Sequence, residues 1–497
     1  MKTPKQKDHF STKYLESSLA SRSLKGGTLA FASQGLSFVL RMGTTVVMAR
    51  LLTPADFGLI AMVTAVTGFV ALFKDLGLSM ATVQREEITH EQVSALFWIN
   101  LMVGTLTCLV TMGLAPVIAW FYDKHELLNV TLCLSVNFVL VGLGVQHQAL
   151  LRRHMRFFAL YSVETLAYIS NILVSIGSAY FGVRYYAIVF GMLTNSLVLS
   201  GGFWVVSGWI PGWFTKNSQI GSMLAFGFNL TGYRLVNYFS RNMDNILIGR
   251  YMGAATLGLY DKAYQLLLLP VQQINWPLTN VVVPALSRLQ NDGKKFSEYY
   301  YKAIQLVTSI TMPVVFFLFI KADTVIMIML GKQWTGSVEI FRALAPAALI
   351  GVVNIAPGWV YLSLGRTDRQ LKWGIFASLV TVLSFIIGIR WGALGIATAF
   401  SVQSVTKFFP GIVYCYRGTG LRLWDLVKSL RIAAIISIVP SMFLFAYKLT
   451  VASPTGIIEE LIIPFVCFFL ISFLLFVFLT ESVRKKVLAF RWLHSAT

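Results

Sequence analysis

The sequence predicts an all-α polytopic membrane protein with about fourteen transmembrane helices, and three observations carry that reading. Of the 497 residues, 56% are hydrophobic and 12% charged, where a soluble domain carries about a quarter charged residues. Mean hydropathy is +0.69. The apolar residues fall in runs of about 20 between short polar connections, and a helix of that length crosses roughly 30 Å of hydrocarbon. A membrane β-barrel would instead show alternating segments of about 10 residues, and these runs do not alternate.

Spans are read in order at 27–49, 57–77, 93–119, 127–150, 159–181, 185–207, 221–249, 257–284, 299–320, 338–363, 372–389, 392–414, 430–449 and 458–480. The preceding residues are polar and basic (Lys2, Lys5, Lys7, Lys13, Arg22, Lys25). They lead into a run long enough to be kept as an anchor rather than cleaved as a signal. Pro116 is expected to kink or stop the third span. Pro270, Pro277, Pro284, Pro313, Pro346, Pro357 and Pro410 should bend the eighth, ninth, tenth and twelfth, since proline removes an intrahelical hydrogen bond. The last two spans are rich in Phe and Leu and mostly lack polar stripes.

The net charge of +20 does not point to nucleic acid, because the basic residues are scattered between spans. With the N-terminus inside, the arginine clusters after the fourth, tenth and twelfth spans and in the C-terminal tail all become cytoplasmic. The positive-inside bias therefore places both termini in the cytoplasm of an inner (plasma) membrane protein. No connection is long enough to hold a soluble catalytic domain, and no HExxH, GxSxG or P-loop is placed to work. Cys108, Cys133, Cys415 and Cys467 lack metal-ligand spacing. Neither an enzyme nor a metal protein is expected.

An internal repeat lies at an offset of 200 residues. Ala49–Leu59 (ARLLTPADFGL) aligns without gaps on Gly249–Leu259 (GRYMGAATLGL), matching Arg50 with Arg250, Ala55 with Ala255, Gly58 with Gly258 and Leu59 with Leu259. More weakly, Phe181-Gly182 matches Trp391-Gly392, and Arg153 and Arg156 echo Arg366 and Arg369. Two homologous halves of six spans share one orientation, because six is even. They imply two pseudo-symmetric lobes about an axis along the membrane normal, with a cavity between them. The expected layout is a tail 1–25, an N-lobe 26–215, a C-lobe 216–418, two extra spans 419–483 and a tail 484–497.

The same offset sets Arg41 in the first span against Arg241 in the seventh. An arginine inside a span costs roughly 2.5–3.5 kcal/mol on insertion scales and generally faces a bundle interior or a watery cavity. Arg234, Asn237, Arg241, Asp244 and Asn245 recur on one helical face. Ser37, Arg41, Thr44, Thr45 and Met48 form a similar stripe, as do Thr165, Tyr168, Asn171, Ser175 and Ser178 beside Glu164. Lys74 and Asp75 end the second span, and Lys262, Gln265, Gln272, Trp276 and Thr279 mark the eighth. Arg41, Arg234, Arg241, Asn237, Lys74, Lys262, Gln272 and Trp276 are thus candidates to bind an anionic, hydroxyl-rich ligand, since the guanidinium fork gives paired charge-assisted bonds. Alternatively these groups pair among themselves, Arg241 with Asp244 and Glu339 with Arg342. Glu164, Asp244 and Asp75 are candidates for coupling to H⁺ or Na⁺; no other cofactor is expected. His147 suits interfacial hydrogen bonding better than a proton relay.

Val46–Gly58 (VVMARLLTPADFG), Asp75–Arg85 (DLGLSMATVQR), Ser240–Pro270 (SRNMDNILIGRYMGAATLGLYDKAYQLLLLP) and Val282–Gln290 (VVPALSRLQ) carry a family likeness. They resemble the polysaccharide transport family of the multidrug/oligosaccharidyl-lipid/polysaccharide (MOP) superfamily, over nearly the whole chain. The resemblance implies a MATE-like fold and a Wzx-like flippase that moves undecaprenyl-diphosphate-linked oligosaccharide to the outer leaflet by alternating access. It implies as partners the lipid bilayer, that lipid-linked saccharide, and polysaccharide polymerase and chain-length or export machinery. A multidrug or small-cation antiporter is the alternative, but it would want an acidic lumen. A polymerase or ligase would need a catalytic carboxylate or a large external loop, and an assembly scaffold gains nothing from buried arginines.

Overall fold

The computed structural model describes residues 19–72, 78–85, 87–213, 221–450 and 458–480. These residues are helical, with no strand among them. The helices are α1 (Leu19–Leu51), α2 (Pro54–Ala71), α3 (Leu78–Gln84), α4 (His90–Tyr122), α5 (Glu126–Arg153), α6 (Phe157–Tyr180), α7 (Tyr186–Ser207) and α8 (Gly221–Arg288). They continue with α9 (Gly293–Ile320), α10 (Ala322–Met329), α11 (Ser337–Val353), α12 (Ala356–Ser363), α13 (Thr367–Gly388), α14 (Gly392–Tyr416), α15 (Leu423–Thr450) and α16 (Ile463–Leu479). All the expected spans fall on these helices, with α8 supplying two. It is broken at Gly253, whose φ of 81° and ψ of 177° are non-helical. The chain is a multi-pass membrane protein. Ten stretches of the described residues are long and apolar enough to cross a bilayer; α1 and α8, which carry Arg41 and Arg241, are not among the ten.

Three boundaries differ from the sequence reading. Pro116 does not stop the third span: α4 runs through it to Tyr122 and ends where Asp123 takes a left-handed φ of 54°. One lost hydrogen bond in a helix of 33 residues is tolerated when the turns on both sides are intact. The tenth span is not continuous, because α11 stops at Val353 and α12 restarts at Ala356. Pro357 then sits in the first turn of α12, where its missing N–H costs nothing, instead of clashing inside one long helix. The second span ends at Ala71, and 73–77 lie outside the described residues.

Local chemistry starts the helices cleanly. Thr89 caps α4, accepting from the Gln92 backbone N–H at 3.3 Å while the Gln92 side chain accepts from the Thr89 N–H at 3.1 Å. Such a capping box satisfies two of the orphan donors at a helix start. Asp292 caps α9 by accepting from the Lys295 N–H at 3.1 Å.

Packing divides the chain into two compact units, Met1–Gly258 and Leu259–Thr497. In the first, α4 packs on α5, α6 on α7, α5 on α7 and α1 on α6. The first part of α8 is fastened here by Tyr238, whose hydroxyl lies 3.1 and 2.9 Å from the carbonyl oxygens of Thr64 and Ala65 in α2. In the second unit, α11 and α13 pack on α14, and α15 packs on α9 and α16. The phenylalanines of the last span are part of that core. Phe465, Phe468 and Phe469 surround Phe317 of α9 with ring centroids 5.4 to 5.7 Å away.

Candidate functional site

The repeated turn is the best-defined part of the site. At its first copy, Thr53 and Asp56 form a capping box at the start of α2. Asp56 is 2% exposed, and its Oδ2 accepts from the Thr53 N–H at 3.0 Å and from the Thr53 hydroxyl at 2.6 Å. Its Oδ1 lies 3.4 Å from Arg184 Nε. At the second copy, Gly253 makes the break by itself.

The two copies meet inside the first unit. A Cβ on Gly58 would lie 1.7 Å from the Ala254 carbonyl oxygen, and a Cβ on Gly258 would lie 1.8 Å from that of Pro54. Under the repeat, 54 maps onto 254 and 58 onto 258, so these are one contact read twice. Such reciprocity marks a local two-fold relation. Only glycine leaves room for backbones this close.

The candidate ligand-binding residues are placed as follows. Arg41 is exposed on α1, and Arg241 is exposed on α8. Among the described residues neither is in an ion pair. The alternative Arg241–Asp244 pair is not formed: Asp244 is 4% exposed, whereas Arg241 is exposed. The threonines of the α1 stripe are satisfied within their helix, Thr44 donating to Leu40 O at 2.7 Å and Thr45 to Arg41 O at 2.8 Å. Hydroxyls bonded this way lower the polarity of the stripe and leave Arg41 as its charge.

Lys262 differs from these arginines. It is 8% exposed, donates to Gln265 Oε1 at 3.0 Å and lies 3.8 Å from Asp261 Oδ2, which itself accepts from Gln265 at 2.8 Å. Its charge is balanced within one turn of α8. Glu164 is half-buried and accepts from Gln148 Nε2 at 3.2 Å. The side chains of Arg234, Asn237, Gln272 and Trp276, and the whole of Lys74 and Asp75, lie outside the described residues.

The other singled-out groups are structural. Arg342 pairs with Asp323 and not with Glu339, because α10 brings a carboxylate across from an element read as loop. His147 is fully buried and hydrogen-bonded; Nδ1 is 2.9 Å from Ser207 Oγ, and the ring lies 4.3 Å from that of Trp204. Arg250 lies over the Phe121 ring at 5.8 Å. The paired arginines after the fourth and tenth spans hold backbone carbonyls, Arg153 donating to Thr82 O in α3 at 3.1 Å and Arg369 to Arg417 O after α14 at 2.7 Å.

Sequence reasoning missed Lys407, a lone cation in the twelfth span. It is half-buried on α14 and donates to Ala377 O at 3.0 Å and Thr381 Oγ1 at 2.7 Å on α13. The signal was present, since a lysine inside an apolar run is as informative as an arginine. It was passed over because it has no counterpart in the repeat. Among the described residues no group of three or more His, Cys, Asp or Glu side chains could hold a metal. The arrangement offers cations to an anion rather than carboxylates to a cation.

Comparison with known proteins agrees with this architecture. The lipopolysaccharide biosynthesis protein WzxC of Escherichia coli (strain K12) is 24% identical over 418 residues, covering 82% of this chain and 85% of the relative. The teichuronic acid biosynthesis protein TuaB of Bacillus subtilis (strain 168) is 29% identical over 352 residues, covering 69% and 72%. The inward closed structure of the lipid II flippase MurJ superposes with a TM-score of 0.73 at 16% identity, covering 93% of this chain and 99% of MurJ, and shows the fold to be shared. A family model described as polysaccharide biosynthesis protein matches residues 47–339. That stretch is more than half of the chain and includes both copies of the repeated turn, and the chain belongs to the polysaccharide biosynthesis protein family.

Proposed function

We propose that this protein is a flippase for lipid-linked oligosaccharides, moving diphosphate-linked saccharide units from the cytoplasmic to the outer leaflet of the inner membrane. The observation that carries the reading is the pair of repeat-matched arginines, Arg41 and Arg241, held on membrane helices without carboxylate partners among the described residues. Guanidinium groups kept in a span against their insertion cost are suited to an anion that must pass through it. Family membership supports a role in polysaccharide assembly, and the MurJ-like fold supports passage of a lipid-borne headgroup. The short connections support a transporter rather than a catalyst, and the arginine clusters support cytoplasmic termini.

Replacing both Arg41 and Arg241 by Ala should abolish transport while leaving membrane insertion intact. In a deletion strain carrying the variant, polyprenyl-diphosphate oligosaccharide should accumulate on the cytoplasmic leaflet, read by mass spectrometry and a non-permeant leaflet probe. Wild type should clear it. Normal clearance by the double variant would sink the role given to the arginines. Accumulation on the outer leaflet would point to a polymerase or ligase.

A further inference from the structure

The connection from α14 to α15 is fastened from three sides. Gly418 and Gly420 turn it with φ of 73° and 75°. Arg366 of α13 donates to Arg417 O at 2.9 Å and to Gly418 O, and Arg369 donates to Arg417 O at 2.7 Å. From α9, the Tyr301 hydroxyl donates to Arg422 O and accepts from Arg422 N, both at 2.8 Å. Thr419 closes the middle, donating to Tyr416 O at 2.8 Å and accepting from Leu421 N at 3.3 Å. These bonds fix the backbone and leave the side chains of Arg417 and Arg422 exposed. Arg366, Arg369, Arg417 and Arg422 are thereby gathered at one loop, and none is in an ion pair among the described residues. Like charges held this close repel unless an anion joins them.

α15 extends the patch along one of its faces. Trp424, Lys428, Arg431, Ile438, Met442 and Phe445 share helical spacing, and all six are exposed. The cations are confined to the first turns; from Ile438 onward the face is apolar, with Met442 68% and Phe445 61% exposed. The apolar run of this span begins at Leu430, and 20 residues from there cross about 30 Å of hydrocarbon. Arg431 therefore stands at the edge of the hydrocarbon and Lys428 just outside it, at the depth of headgroup phosphates. An exposed tryptophan such as Trp424 is typical of that boundary. The acidic residue nearby, Asp425, is half-buried and in no ion pair among the described residues.

We propose that this exposed face of α15 is a binding site for an anionic phospholipid of the surrounding leaflet, with its phosphate on Lys428 and Arg431 and its acyl chains along Ile438, Met442 and Phe445. Arg417 and Arg422, on their fastened loop, add positive potential beside the headgroup. A soluble acidic partner would match the charges and leave the apolar continuation unused. A zwitterionic lipid would match the apolar stripe and leave the charges uncompensated. The site belongs to the second unit alone and does not depend on the flippase reading.

The test titrates the delipidated full chain in detergent with phosphatidylglycerol or phosphatidylcholine and reads the bound lipid by native mass spectrometry. Each cation at the membrane surface contributes about fivefold to anionic-lipid affinity, so the double variant Lys428→Gln/Arg431→Gln should bind phosphatidylglycerol about twentyfold more weakly. Its affinity for phosphatidylcholine and its thermal midpoint should not change, and the charge-keeping Lys428→Arg/Arg431→Lys should stay near wild type. A wild-type protein with no preference for phosphatidylglycerol over phosphatidylcholine would overturn the proposal, as would a double variant that keeps the preference. A fall in thermal midpoint matching the lost affinity would overturn it by making the two cations structural. Tighter binding of soluble polyglutamate, lost in the same variant, would assign the face to an acidic polypeptide instead. Tighter binding of polyprenyl diphosphate, lost likewise, would assign it to the transported lipid.

Discussion

The two copies of the repeated turn follow the same course by different chemistry. In the first, side chains do the work: Thr53 and Asp56 exchange hydrogen bonds, and Arg184 sits beside the buried carboxylate. In the second, the backbone does it, because Gly253 takes a φ and ψ that few other residues tolerate. What the copies have in common is the glycine five residues further on, and each of these lies against a carbonyl of the other copy. The close crossing, not the turn that leads into it, is what the repeated sequence encodes.

That contrast can be broken most severely at the crossing. Gly58→Ala and Gly258→Ala each drive a Cβ into a backbone oxygen that cannot rotate away. Each should cost about 3 kcal/mol, at or above the upper end for overpacking, seen as a large fall in thermal midpoint in detergent. A double variant as stable as wild type would show that the crossing is loose. A smaller effect is expected at Gly253→Ala. There is open space for a Cβ there, so the penalty is purely conformational, roughly 1–3 kcal/mol. If the variant is unperturbed, the break at 253 does not need its positive φ. The smallest effect should come from Thr53→Ala, which removes a capping hydroxyl worth about 1 kcal/mol. The same midpoint measurement checks it, and a cost above that of Gly253→Ala would reverse the order proposed for the two turns.

Much of this fold was legible in the sequence. The runs of the length a bilayer demands mark the helices, and Gly253 breaks α8 between the two runs read there. The misreadings cluster where a local rule met a tertiary alternative. Pro116 stays helical because the turns around it hold, while Pro357 shifts the break to Asn354–Ile355 ahead of it. The site was less legible. Arg41 and Arg241 were found through the repeat, but Lys407 has no repeat partner and was missed. The hydrogen bond expected of His147 is made, to Ser207, but the ring of aromatics enclosing it, Phe97, Trp204 and Trp209, comes from segments its sequence neighbours do not reveal.

The sequence by itself determined the number and order of the spans, the repeat and the excess of cations within it. It could do so because hydrocarbon leaves the backbone no partner but its own helix, so each span is written in one contiguous run. Tertiary structure decided which charges are neutralised and which glycines matter. Lys262 and Lys407 are both lysines in apolar spans, and Gly58 and Gly253 are both glycines near a turn. Only contacts between segments distant in the chain separate a balanced ammonium from an open one, and a crowded glycine from a strained one.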